Sequence, residues 1–136
     1  AITAVYTVRV EGDDNTADPI ADASRAILDG HIVLSRKLVQ RGHYPPIDLL
    51  QSLSRVMPMV TDVSHIKAAN DLREMVAAYY DVEDLVSVGA YKPGSQLRSD
   101  RAIDKWDAIT AFLRQDRSEA TPAQDTREAL RRLTDA

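Results

Sequence analysis

The apolar positions follow two regimes that change near residue 62. In the first, residues 2–10 are rich in β-branched side chains and alternate at their end, which predicts a well-buried strand. Gly12-Asp13-Asp14-Asn15 reads as a loop. Asp18-Pro19 places an N-cap acceptor before a proline at the first helical position, where the missing N–H costs nothing. A helix over 19–28 follows and stops at Asp29-Gly30. The short apolar run His31-Ile32-Val33-Leu34-Ser35 predicts a second buried strand. Residues 36–40 form a helical turn or two ending at Gly42. Tyr44-Pro45-Pro46 starts in a non-helical conformation, because each proline disfavours the helical region in the residue before it. Residues 48–56 read as a short helix.

In the second regime the period is helical throughout. Ser64 is the expected cap of a helix with Ile66, Ala69, Leu72, Met75, Val76 and Tyr79 on one face. Asp81 is the expected cap of a second, carrying Leu85, Val86 and Val88 and ending at Gly89. After the loop 90–95, Ser99 is read as the cap of a third, with Ala102, Ile103, Trp106, Ile109 and Leu113 facing inward. Residues 115–120 are a polar loop. Thr121-Pro122-Ala123-Gln124 has the form of a capping box and opens a last helix with Leu130 and Leu133. The expected fold class is thus an α/β fragment of about two strands plus helices, over 1–62, followed by an all-α helical bundle domain over 63–136.

Composition narrows the chemistry more than the fold. The chain has 136 residues, 44% apolar and 28% charged, which suits an ordinary globular domain. Aromatics make up only 5%, so the core is expected to consist of Leu, Ile, Val and Ala. The absence of cysteine excludes disulfides, thiolate metal sites and a cysteine nucleophile. A net charge of −4 argues against a dedicated nucleic-acid surface. Both halves carry a net −2 (6 basic against 8 acidic residues, then 11 against 13), so charge does not divide them. No apolar run approaches a bilayer span, and Ala1 to Ala4 lacks a basic leader region, so an intracellular compartment is expected.

Candidate chemistry is sparse. None of the five glycines begins a GxxxxGK[ST] loop, and neither HExxH nor GxSxG occurs. His31, His43 and His65 are far apart in sequence. Asp13, Asp14 and Asp18 lack the ligand spacing of a calcium loop and its final Glu. Tyr44 stands before two prolines that stiffen its backbone, so it serves either as a stacking platform or as a packing residue. Arg55 follows a small apolar stretch. It is available as an anion ligand or as an ion-pair partner within the fold.

The motifs become specific when taken together. Residues 1–6, Val10-Glu11-Gly12-Asp13-Asp14, Asp18-Pro19-Ile20-Ala21-Asp22, residues 27–36, His43-Tyr44-Pro45 and Ser54-Arg55-Val56-Met57 resemble the type III protein-export ATPases of injectisomes and flagella. Residues 80–86, Gly89-Ala90-Tyr91, Gly94-Ser95, Asp100-Arg101-Ala102-Ile103 and residues 111–115 resemble that family's C-terminal domain. The resemblance runs to about residue 117. The family is in turn similar to the catalytic subunit of rotary ATP synthases.

The resemblance implies that this chain is the C-terminal part of such an ATPase, beginning inside a late strand of a RecA-like core. The P-loop and the Mg²⁺-binding and water-activating carboxylates would lie upstream, so the chain by itself is expected to be inactive. The implied cofactors are ATP and Mg²⁺ in a full-length homohexamer. Arg55 matches the family's arginine finger, which reaches the γ-phosphate of a neighbouring subunit. Tyr44 matches the aromatic that packs on adenine within its own subunit. A second adenine aromatic, known from the synthases, would fall near 120–123, where this chain has none. Lys92, Gly94, Ser95 and Gln96 match a loop expected to touch a coiled-coil stalk protein, with Gln96 replacing the family's usual Asp. The other implied partners are a negative regulator and chaperone–cargo complexes. The implied location is the cytoplasm, peripheral to the inner membrane at the secretion apparatus. Two alternatives stand beside the injectisome ATPase. One is a non-catalytic docking module; the other is a flagellar export ATPase.

Overall fold

The computed structural model describes residues 2–9 and 19–135. The loop expected at 12–15 and the cap expected at Asp18 lie outside them. Residues 2–9 form no strand, and Ile2 and Val5 are 99% and 90% exposed. This corrects the buried strand expected there. A strand is stabilised by ladder bonds and a covered face, and the described residues offer this segment neither.

The first helix, α1 (Pro19–Ile27), buries Ala21. Strand β1 (Gly30–Leu34) follows, then α2 (Arg36–Gln40) and strand β2 (Ile47–Ser54). After α2, Gly42 turns the chain at φ 66°, with its N–H donating to Val39 C=O at 3.0 Å. This left-handed step is open to glycine without strain. The two strands pair antiparallel, Gly30 with Ser54 and Leu34 with Ile47, and the register shifts between His31 and Val33.

β2 replaces the short helix expected over 48–56. The helical signal is real but is used up within one turn. Asp48 Oδ1 accepts from the N–H groups of Leu50 and Gln51, both at 3.0 Å, as an N-cap would. The Ser52 hydroxyl donates to Asp48 C=O and accepts from Val33 N–H at 3.0 Å. The chain therefore bulges through residues 49–52 and returns to the ladder. At Gly30 a Cβ would lie 2.6 Å from Leu53 O, so the strands close up there only because the residue is glycine.

After the single turn α3 (Met57–Val60), the helical region is organised on α4 (Val63–Tyr80). Its cap is Asp62, whose Oδ1 accepts from His65 N–H at 2.8 Å, and not the expected Ser64. Ser64 instead donates its hydroxyl to Asp62. Helix α5 (Glu83–Ser87) begins without a side-chain cap, so Asp81 does not play the expected role. The expected third helix is two, α6 (Leu97–Asp104) and α7 (Trp106–Leu113), because Lys105 opens to ψ 0° between them. Ser99 lies inside α6, buried, with its hydroxyl on Gln96 Oε1 at 3.2 Å. The last helix is α8 (Ala123–Asp135). Thr121 spends its hydroxyl on Glu119 Oε1 at 2.8 Å rather than on the expected capping box.

The core gathers Ala68, Leu72, Met75 and Val76 of α4 with Ala102, Ile109 and Leu130. Its aliphatic make-up is what the low aromatic content requires. Arg101 and Lys105 donate to the carbonyls of Thr134 and Leu133, the latter at 2.7 Å. They place two cations at the negative end of α8. The expected fold class stands, a small α/β fragment followed by a helical bundle, although one of its two strands lies elsewhere than expected.

Candidate functional site

Tyr44 lies in the segment between α2 and β2, just before the ladder. Its ring is 52% exposed and its peptide bond to Pro45 is cis. Pro46 C=O accepts from Ser35 N–H at 2.9 Å, which ties the segment to the end of β1. From the helical region, Gln115 N–H donates to Tyr44 C=O at 2.9 Å. The backbone is thus fastened while the ring face stays open, an arrangement suited to stacking a planar base. Beside it, burial and then the Arg114 guanidinium hold the His43 imidazole below its ordinary pKa, so it is neutral near pH 7.

Arg55 emerges directly after β2. Its N–H donates to Asp29 C=O at 2.8 Å, and its Nη2 donates to Arg25 C=O at 3.2 Å near the end of α1. The residue is exposed. Among the described residues, Nη2 makes the only side-chain bond of this guanidinium, and most of its five N–H donors point to no protein partner. Among the described residues no carboxylate pairs with it.

Tyr44 and Arg55 are not brought together. They lie beyond opposite ends of a ladder spanned by the five residues of β1, and those ends are about 13 Å apart. The third group, Lys92, Gly94, Ser95 and Gln96, lies between α5 and α6. Asp100 organises this loop: its carboxylate accepts from Gly94 N–H at 3.0 and 3.1 Å and from the Tyr91 hydroxyl at 2.9 Å. Gly94, at φ 85°, makes that double contact possible. Lys92 and Ser95 are left exposed on the outer side. Among the described residues no group of three or more His, Asp or Glu forms a metal-binding cluster. None of their helices is long and apolar enough to cross a membrane.

Sequence reasoning missed how the segment before Tyr44 is tied to the helical region. Arg41 donates to Glu83 through two nitrogens, at 2.7 and 3.2 Å, and Glu83 in turn raises the Arg41 pKa. No local pattern marks this pair, since its members are 42 positions apart.

The open aromatic and the exposed arginine stand on a small α/β segment joined to a helical bundle, and comparison places this fold among the ATP-synthase-like ATPases. Family models agree along the chain. The ATP synthase alpha/beta family nucleotide-binding domain matches residues 1–54. The T3SS EscN ATPase C-terminal domain matches residues 61–132. The chain belongs to the type III secretion ATPase family.

The type 3 secretion system ATPase of Pseudomonas syringae pv. tomato is 51% identical over 134 residues, 98% of this chain and 30% of that protein. The flagellum-specific ATP synthase of Pseudomonas aeruginosa is 46% identical over 98% of this chain. Among solved structures, the assembled ATPase EscN of enteropathogenic E. coli superposes with a TM-score of 0.93 at 40% identity. That match covers 98% of this chain and 32% of EscN. EscN in complex with its central stalk EscO superposes at 0.80 and 38% identity, covering 85% of this chain and 29% of that one. The chain thus spans about 30% of the length of the curated relatives it matches.

Proposed function

We propose that this chain is the C-terminal part of an ATPase that energises type III protein secretion, and that it completes ATP sites at the subunit interfaces of a homohexamer. Residues 1–62 end its RecA-like core, and 63–136 form its C-terminal domain. Arg55 acts in trans on a neighbour's γ-phosphate, whereas Tyr44 packs on the adenine of its own subunit's nucleotide. The observation that carries this reading is the placement of Arg55: exposed, with no carboxylate beside it among the described residues, and at the far end of the ladder from Tyr44.

When bound, ATP would supply the reacting phosphoryl group and Mg²⁺ would neutralise charge on its oxygens, held by ligands outside this chain. The chain's own contribution is electrostatic and positional. Arg55 presents donors and positive charge where the transferring group gains negative charge. Its backbone bond to Asp29 fixes the base of the residue, and at the tip Nη2 rests on Arg25 C=O. Tyr44 adds stacking area with little base discrimination. The loop bearing Lys92, Gly94, Ser95 and Gln96 is the contact for a coiled-coil stalk. That EscN is solved with its central stalk EscO supports this. The helical region also receives a negative regulator and chaperone–cargo complexes. The whole protein works in the cytoplasm, peripheral to the inner membrane. The injectisome form is favoured over the flagellar one by the family model matched at 61–132.

The test is a mixing experiment on the full-length protein. Arg55→Ala should lower kcat on the order of 10³–10⁵-fold. Mixing it with a P-loop-dead partner that keeps Arg55 should restore turnover. Normal hydrolysis by Arg55→Ala would refute the finger and leave this region as a docking module.

A further inference from the structure

The Tyr44 segment is gripped from both sides by the helical region. Three residues before Tyr44, Arg41 forms a two-point bridge to Glu83 at the start of α5. At Tyr44 itself, the backbone carbonyl is held by Gln115 N–H, just past the end of α7. Helix α7 links the two grips. It opens at Trp106, which stacks on Tyr79 with ring centroids 3.5 Å apart and meets Tyr80 edge-on at 5.7 Å. Both tyrosines feel the charges of Arg41 and Glu83. From there α7 runs about 12 Å to the Tyr44 grip. Between the grips the chain turns at Gly42 in its left-handed conformation, and directly after Tyr44 two prolines, 45 and 46, restrict the backbone.

We infer that Arg41 and Glu83 are positioning residues for nucleotide binding: their bridge, acting with the Gln115 contact, sets the orientation of the Tyr44 ring. This rests on the reading of Tyr44 as the adenine-packing residue. The physical ground is that a ring with one open face gains stacking only when its backbone is held in register, and the holding bonds come from another part of the chain. A shift of α5 or α7, however caused, would thereby change nucleotide affinity without touching the nucleotide. The bridge itself is half-exposed, with side chains 54% and 30% accessible, so its worth is modest and its removal should leave the fold intact.

The experiment compares full-length Arg41→Ala, Glu83→Ala, the reversed pair Arg41→Glu with Glu83→Arg, and Tyr44→Ala. The readouts are the equilibrium Kd for ADP by calorimetry and the KM and kcat for ATP. Each single bridge variant should raise Kd and KM together by about two- to fivefold, with kcat changing less than either. The reversed pair should recover most of that loss. Unchanged Kd in the single variants, or a reversed pair no better than they are, overturns the inference. A rise in Kd for Tyr44→Ala with none for the bridge variants overturns the bridge's role alone. An unchanged Kd for Tyr44→Ala overturns the adenine reading, and the inference as stated with it.

Discussion

In the helical region Ala102 and Ile109 are completely buried, whereas on β1 of the α/β region Ile32 and Leu34 are 72% and 63% exposed. Both regions are apolar-rich in sequence, but only one closes a core among the described residues. There the α/β part adds just Ala21 and Val33 to the fully buried apolar set. It leans on α4 through Leu49, packed at the core's edge, and through the Arg73 bond to Ser52 C=O at 2.8 Å. The difference separates stability from the proposed chemistry. The helices hold the molecule together, while Tyr44 and Arg55 stand on a layer with open faces. Broad exposed apolar surface of that kind is typical of an interface.

The sharpest way to break this comparison is a matched pair of truncations. Ile109→Ala should cost about 3 kcal/mol in chemical denaturation, from lost burial plus the cavity left behind. Ile32→Ala should stay within about 0.5 kcal/mol, because its side chain already faces solvent. Equal losses would mean that the β1 face is packed and that the two regions share one core.

A smaller effect is expected at the close approach of the strands. Gly30→Ala places a Cβ against Leu53 O and 3.2 Å from Ser54 Cα, so the ladder must spread. We expect about 1–3 kcal/mol of destabilisation. Amide exchange should accelerate in β1 and β2 and remain unchanged in α4. Acceleration in α4 as well would show the hairpin and the helices to be one cooperative unit.

The smallest effect concerns the joint between the regions. The Ser64 hydroxyl, the His65 N–H and Arg131 together lower the Asp62 carboxyl from 3.8 to about 2. A depressed folded-state pKa means that the ionised form stabilises the fold. That contribution is complete above pH 4 and is lost as pH falls toward 2. Asp62→Asn should flatten the fall in Tm across that window and leave the curve above pH 5 parallel to the original. An unaltered slope below pH 4 would exclude Asp62 as the titrating cap.

Much of the local structure was legible along the chain. α1, α2 and β1 fall within a residue or two of their expected ranges, because caps, prolines and Gly42 act on immediate neighbours. Residues 48–56 misled because Asp48 and the leucine spacing satisfy a helical turn, and the chain then leaves it for a ladder whose partners are some twenty positions away. Residues 2–9 misled for the opposite reason: β-branching records a fitness for sheets but supplies no partner strand. Arg55 and Tyr44 could be named from motifs, yet the motifs say nothing of what surrounds them.

What the sequence by itself determined is whatever closes within about four residues: the short helices and turns of the first region, the glycines that end them and the aliphatic character of the core. Tertiary structure decided that residues 47–54, which read as a helix, pair with β1, that no carboxylate among the described residues stands beside Arg55, and that Arg41 meets Glu83. The strand pairs and the Arg41–Glu83 bridge join residues 13 to 42 positions apart. Closing such loops costs entropy that only packing of the whole molecule offsets, so no short stretch of sequence can specify them alone.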